Sequence, residues 1–237
     1  MDYFIRSCTN NYKKEAYILK LDIRGYFMSI DKQMLYEIIE KKLTRRQNDL
    51  KCDLGLILFL IRQVIFCDPT IDCVIKSPRG LWQGLPIGNL TSQLFANIYL
   101  NEVDQFIKRG LNIKYYGRYV DDMVLVDNDK YKLLEAVKKI SDYLTDNLSL
   151  SLHPKKIYLQ HADKGVVFLG FNIKPYRVLV GKRIKRNFYG KISDGVAEWH
   201  RLCVYPVNKD DLKIFNYGFR QTCNSYLGLL RYSNSFL

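Results

Sequence analysis

A chain of 237 residues with 48% hydrophobic and 26% charged residues carries enough apolar side chains for a sizeable core, which excludes an intrinsically disordered protein. Its formal charge of +13 points to a polyanionic partner, nucleic acid or an anionic membrane surface, or to a basic surface kept for solubility. The longest apolar run, Leu54–Ile61, closes at Arg62 and is far too short to span a bilayer, and residues 1–6 lack the basic-then-apolar pattern of a signal peptide. Six cysteines, at positions 8, 52, 67, 73, 203 and 223, form no C-x-x-C pair and sit beside no histidine at metal spacing, so they read as reduced cytosolic thiols.

In chain order, Tyr17–Ile23 alternates and is rich in β-formers, which predicts a strand reaching Asp22. Asp31–Lys42 has helical spacing with Asp31 as its cap, and Leu54–Cys67 reads as a buried helix. Arg79-Gly80 and Gly84-Leu85-Pro86 mark loops. A long amphipathic helix is predicted over Asn89–Lys108. Ile113–Val120 and Met123–Val126 read as a hairpin with Asp121-Asp122 in its turn. Lys130–Asn147 follows as a helix with Leu133, Leu134, Val137 and Ile140 on one face, and Val166–Ile173 as a single strand. Strands and helices mix without βαβ alternation, so the fold class is α+β with a mainly antiparallel sheet.

Composition shifts near Gly181. From there to Leu237, ten Lys and Arg stand against four Asp and Glu, with aromatics interleaved, among them Phe188, Tyr189, Trp199, Tyr205, Phe215, Tyr217, Phe219 and Tyr226. The segment reads as a basic helical subdomain (181–237) after a larger one (1–180), suited to track a nucleic-acid backbone. For most of these rings taken singly, a place in the subdomain's own core is the simpler reading.

The chemistry-bearing pattern is Asp22 at a strand end with Asp121 and Asp122 at a hairpin turn. Adjacent residues of a straight strand point to opposite faces, and a turn relaxes that rule. Three crowded carboxylates repel one another, and a divalent cation removes the penalty. Oxygen-only ligation suits Mg²⁺, and two such ions would support in-line phosphoryl transfer. An Asp-Asp pair alone is most often a solvated turn, so the surrounding residues decide.

Those residues form a series. Leu19-Lys20-Leu21-Asp22-Ile23-Arg24-Gly25-Tyr26-Phe27 resembles motif A of reverse transcriptases, and Tyr119-Val120-Asp121-Asp122 resembles their motif C. Gly84-Leu85-Pro86-Ile87-Gly88-Asn89-Leu90-Thr91-Ser92-Gln93 is similar to motif B, His153-Pro154-Lys155-Lys156 to motif D, and Phe168-Leu169-Gly170-Phe171 to motif E. The five occur in the family's order. The resemblance implies a palm with an antiparallel sheet and packed helices, partial fingers and a C-terminal helical thumb. It implies two Mg²⁺ ions, replaceable by Mn²⁺, held by Asp22 and Asp121 with Asp122 and the Ile23 carbonyl. Arg24, Ile87, Gly88, Ser92 and Gln93 would contact the nucleotide, and Phe27 would be a steric gate against ribose. Lys155 or Lys156 would be the general acid, and Phe168, Leu169 and Gly170 the primer grip. The partners implied are template RNA, a primer or cDNA strand and deoxynucleoside triphosphates, with no membrane.

Motif B narrows the resemblance. Where most reverse transcriptases read Q-G-x-x-x-S-P, this chain has Ile87-Gly88 followed by Ser92-Gln93. Isoleucine has no hydrogen bond to offer a nascent base pair, which loosens selection. The string resembles the reverse transcriptases of diversity-generating retroelements, relatives of the group II intron enzymes, and Asn224–Leu230 is similar to their thumb. That implies error-prone copying of template adenines, a basic accessory protein, and a cytoplasmic setting in a bacterium or phage. The resemblance implies an RNA-directed DNA polymerase; because motif A begins about twenty residues from Met1, where the family carries a fingers segment that grips the triphosphate, the alternative is an N-terminally truncated, inactive nucleic-acid-binding fragment. A defence-type bacterial reverse transcriptase is the further alternative, against which the motif B pattern argues.

Overall fold

A computed structural model describes residues 1–49, 51–66, 83–204 and 208–233. The loop expected at Arg79-Gly80 lies outside the described residues, as do Cys67, Cys73 and Tyr205. The chain divides into two compact units, one of Ser7–Gln160 and one of Met1–Arg6 with His161–Leu237.

The chain opens on a helix the sequence reading did not anticipate, α1 (Asp2–Thr9). Strand β1 (Tyr17–Asp22) follows, then the single turn α2 (Tyr26–Ser29) and helix α3 (Lys32–Thr44). Asp31 caps α3 as expected, its carboxylate accepting the Met34 N–H at 2.9 Å. Helix α4 (Leu54–Phe66) is capped by Asp53 and lies beside α3. Helix α5 (Leu90–Gln105) runs into five residues of π-helix, Phe106–Gly110. Strands β2 (Tyr115–Tyr119) and β3 (Asp122–Asp127) make the expected hairpin, helix α6 (Lys130–Leu148) follows, and β4 (Tyr158–His161) completes a four-stranded sheet ordered β2-β3-β1-β4. The β2/β3 and β3/β1 pairs are antiparallel.

One continuous core joins Leu19, Leu21, Met123 and Leu125 of the sheet to Tyr99, Leu100 and Val103 of α5 and Leu133, Ile140, Leu144 and Leu148 of α6. Each such side chain removed from water contributes about 1.5–3 kcal/mol. The Tyr99 hydroxyl donates to the Leu148 carbonyl at 2.8 Å and so ties the two helices without leaving a buried polar group unpaired.

Two helix expectations need correction. Helix α4 is apolar apart from Arg62 and Gln63, yet only Ile65 is buried; Leu56, Phe59, Leu60 and Val64 are exposed. The eight apolar or glycine residues before Arg62 carry almost no phase, so they could not show which side meets α3. On α6, Leu134 is exposed, because the buried stripe runs Leu133, Ala136, Ile140, Leu144, Leu148.

In the second unit, β5 (Val166–Phe168), β6 (Phe171–Lys174) and β7 (Arg177–Val180) form an antiparallel meander. The predicted single strand Val166–Ile173 is therefore a hairpin. Leu169 (φ 49°) and Gly170 (φ 82°) are both left-handed, as a two-residue type I′ turn requires. Helices α7 (Lys182–Val204) and α8 (Lys209–Leu230) follow. They approach closely at Gly195, where an added Cβ would lie 2.1 Å from the Phe219 ring. Phe188 meets Tyr226, and Phe215 stacks on Phe219, so these four rings pack within the pair, whereas Tyr189 and Tyr217 are exposed.

Candidate active site

The site is built at the ends of β1 and β3. Register pairs Asp22 with Asp122, so both stand on one face of the sheet. Asp122 is thus the first residue of β3, paired with Tyr119 as well, and does not lie in the turn as expected. The loop holds only Val120 and Asp121. Val120 alone has a positive φ (55°), the pattern of a type II′ hairpin turn, whose twist suits the strands it joins. For a β-branched residue this conformation is strained. The strained turn leaves Asp121 at the tip.

The three carboxylates are electrostatically coupled. Partial burial first, and then the charges of Asp22 and Asp122, raise the Asp121 carboxyl above the usual carboxylate range, while Lys156 opposes them. Lysines take up the other two: Lys156 Nζ lies 2.9 Å from Asp22 Oδ2, and Lys20 Nζ lies 3.0 Å from Asp122 Oδ1. The hydrogen bond to Asp22 raises the Lys156 ammonium, helped by the charges of all three aspartates. The donor set is hard oxygen on a pair of strand ends, which fits a divalent cation in kind. As the side chains stand, no group of three or more His, Cys, Asp or Glu among the described residues is gathered to hold a metal ion.

Backbone bonds assemble the remaining motifs around this point. The Asp22 carbonyl accepts the His153 N–H at 2.8 Å, Ile23 bridges Leu152, and Arg24 N–H donates to Ser151 at 2.9 Å, so the turn Pro154–Lys156 is stitched beside the end of β1. The Phe27 carbonyl accepts the Leu85 N–H at 2.8 Å and the Ile30 carbonyl the Gly84 N–H at 2.9 Å, which binds the segment before α5 to α2. Gly84 sits at φ 94°, a conformation open chiefly to glycine. Tyr26, buried, donates its hydroxyl to the Ala96 carbonyl of α5.

The expected contact residues are distributed unevenly. Ile87 is 76% exposed, Gly88, Gln93 and Arg24 are exposed too, and Ser92, in the first turn of α5, is buried. Phe27 is half-buried against the Tyr26 ring. Lys156 reaches Asp22, whereas Lys155 is exposed on the same turn. In the second unit, Phe168, Leu169 and Gly170 form a hairpin tip, and the Gly170 carbonyl accepts the Gly181 N–H at 2.8 Å. Sequence reasoning missed Lys20, and also Arg118, Asp104 and Asn97 near the motif C turn; Lys20 lies within the motif A string and Arg118 beside that of motif C, whereas Asn97 and Asp104 carried no local signal, because their pairings are made across the fold.

Similarity to solved structures agrees with this architecture. Telomerase from Candida tropicalis, in complex with a fragment of telomeric RNA, superposes with a TM-score of 0.55 at 17% identity, covering 73% of this chain and 30% of that one. Telomerase from Candida albicans gives 0.53 at 15% identity over 95% of this chain and 42% of its own. These likenesses concern the fold. Residues 3–173, well over half of the chain, match the model of the family "Reverse transcriptase (RNA-dependent DNA polymerase)", and the chain belongs to that family. Curated relatives include Protein YkfC of Escherichia coli strain K12, 28% identical over 40% of this chain, and the putative COX1/OXI3 intron 2 protein of Saccharomyces cerevisiae, 20% identical over 74% of it. The matches span 33% and 26% of the lengths of those two proteins.

Proposed function

We propose that the chain is the catalytic palm of an RNA-directed DNA polymerase that extends a primer by nucleotidyl transfer. The observation that carries this reading is the pairing of Asp22 with Asp122 across β1 and β3 beneath a strained turn that presents Asp121. Asp22 and Asp121, with Asp122 and the Ile23 carbonyl, would hold divalent ions, Mg²⁺ or Mn²⁺. Such ions supply charge neutralisation on the triphosphate and a more acidic primer hydroxyl. In the reaction the primer 3′-hydroxyl gives up its proton to solvent, its oxygen bonds to the α-phosphorus, the bond to the bridging oxygen breaks, and pyrophosphate leaves. Lys156, held protonated beside Asp22, is the better placed of the two lysines to give that leaving group a proton. Phe27, fixed through its carbonyl to Leu85, is the steric gate. Residues 1–180 act as partial fingers and palm, and 181–237 as a basic thumb whose Phe168–Gly170 neighbour grips the primer.

Within the family, the exposed Ile87 supports a diversity-generating type that copies template adenines loosely with a basic accessory protein in the cytoplasm of a bacterial host. Primer extension on an RNA template with Mg²⁺ and deoxynucleotides tests the polymerase. Extension that Asp121→Asn removes supports it; primer–template binding with no extension by the native chain overturns it in favour of a nucleic-acid-binding fragment. Ile87→Gln should lower misincorporation opposite adenine several-fold, and an unchanged error spectrum would sink the subtype.

A further inference from the structure

The geometry points to Arg118 as a positioning residue that holds the motif C turn in its strained form, and so sets where Asp121 stands. The inference rests on the polymerase reading above. Arg118 lies on β2, its side chain only 10% exposed, and each of its three guanidinium nitrogens donates a hydrogen bond. Nε and Nη2 donate to the two carboxylate oxygens of Asp104 at 2.8 and 2.6 Å, and Nη1 donates both to Asn97 Oδ1 at 3.1 Å and to the Val120 carbonyl at 2.9 Å. Asp104 is itself fixed, accepting the Tyr116 hydroxyl at 2.6 Å. An ion pair serving stability alone would need only Asp104. Here the third donor is aimed at the one residue of the turn whose φ is unfavourable for its type. The planar fork relays a fixed anchor on α5 to the backbone immediately before Asp121. Lysine, whose three donors share one nitrogen, cannot span the carboxylate, the Asn97 amide and the carbonyl as the planar fork does.

A clamp on strain makes a distinctive prediction: removing the strain should remove the need for the clamp. Glycine at 120 adopts the left-handed turn freely. We would measure single-turnover extension, nucleotide affinity and melting temperature for Arg118→Ala, Arg118→Lys and Arg118→Ala with Val120→Gly. Misplacing a reacting group by about an ångström can lower a rate about 100-fold, and a loss of that order in the maximal rate is expected for Arg118→Ala with nucleotide affinity little changed. Arg118→Lys should be nearly as poor. The added glycine should restore at least about tenfold of the loss. No recovery by glycine, with parallel losses of melting temperature and affinity, would make Arg118 merely structural and overturn the proposal. Hydrogen exchange separates this from failure of the polymerase reading. Even in a chain that extends nothing, Arg118→Ala should speed exchange over residues 119–123 and spare the β1/β3 ladder; unchanged exchange there would also overturn the clamp.

Discussion

Two hairpin tips, one in each unit, show opposite solutions to the same backbone problem. Both are two-residue turns with a left-handed non-glycine residue, Val120 in one and Leu169 in the other. At the first tip, a side chain secures the turn: Arg118 holds the Val120 carbonyl. At the second, main chain does so: the Gly170 carbonyl takes the Gly181 N–H. The difference teaches that the tip carrying Asp121 is held by a side-chain network anchored on α5, whereas the tip at Leu169-Gly170 is held by a main-chain bond between two glycines. A side-chain lock tolerates β-branching at the cost of a partly buried ion pair, and a main-chain lock depends on two glycines, at each of which an added Cβ would lie 2.5 Å from its nearest neighbour.

The comparison can be tested in descending size of effect. Asp121→Ala should lower extension by about a thousandfold or more while RNA binding persists, since on the proposed reading it removes a carboxylate that would hold the metal ions. Equal loss of binding would mean that the tip is structural. Gly181→Ala places a Cβ 2.5 Å from the Gly170 carbonyl oxygen, and should destabilise the second unit by about 1–3 kcal/mol in denaturant titration. An unaltered midpoint would show that the main-chain lock yields easily. Leu169→Gly, at a 44% exposed position, should stabilise by about 0.5–1 kcal/mol, because little burial is lost and left-handed strain is relieved. The smallest effect is pH-dependent. A raised carboxyl pKa in the folded state means that the stability contributed by Asp121 is fully present below its unfolded value and is lost as pH rises through the folded one. Asp121→Asn should therefore melt higher than the native chain at neutral pH without added metal, the gap closing as pH falls through the carboxylate range; a gap independent of pH would assign it to something other than charge.

Much of this was legible from sequence, for identifiable reasons. Asp31 as a cap, the β2/β3 hairpin and the alternation of β1 are local, and local rules read them. Asp22 and Asp121 were singled out because their neighbours form recognisable words. Asp122 was misplaced by one position because the turn type depends on φ of Val120, a residue whose chemistry argues against it. The tip at Leu169-Gly170 was hidden inside an unbroken β-forming run, where Leu169 gives no turn signal. Arg118–Asp104 and Lys156–Asp22 join residues 14 and 134 positions apart, and no periodicity announces such partners.

The π-helical segment at Phe106–Gly110 carries a consequence for counting. A wider turn inserts one residue without lengthening the path, so side chains beyond it are rotated by about 100° relative to an uninterrupted α-helix. Here that phase buries Ile107, stacks Phe106 on Tyr143 and turns Lys108 to the Lys114 carbonyl at 2.9 Å. A relative that keeps a plain α-helix through this stretch would be one residue shorter before β2, and residue-for-residue numbering across it would assign Arg118's place to its neighbour.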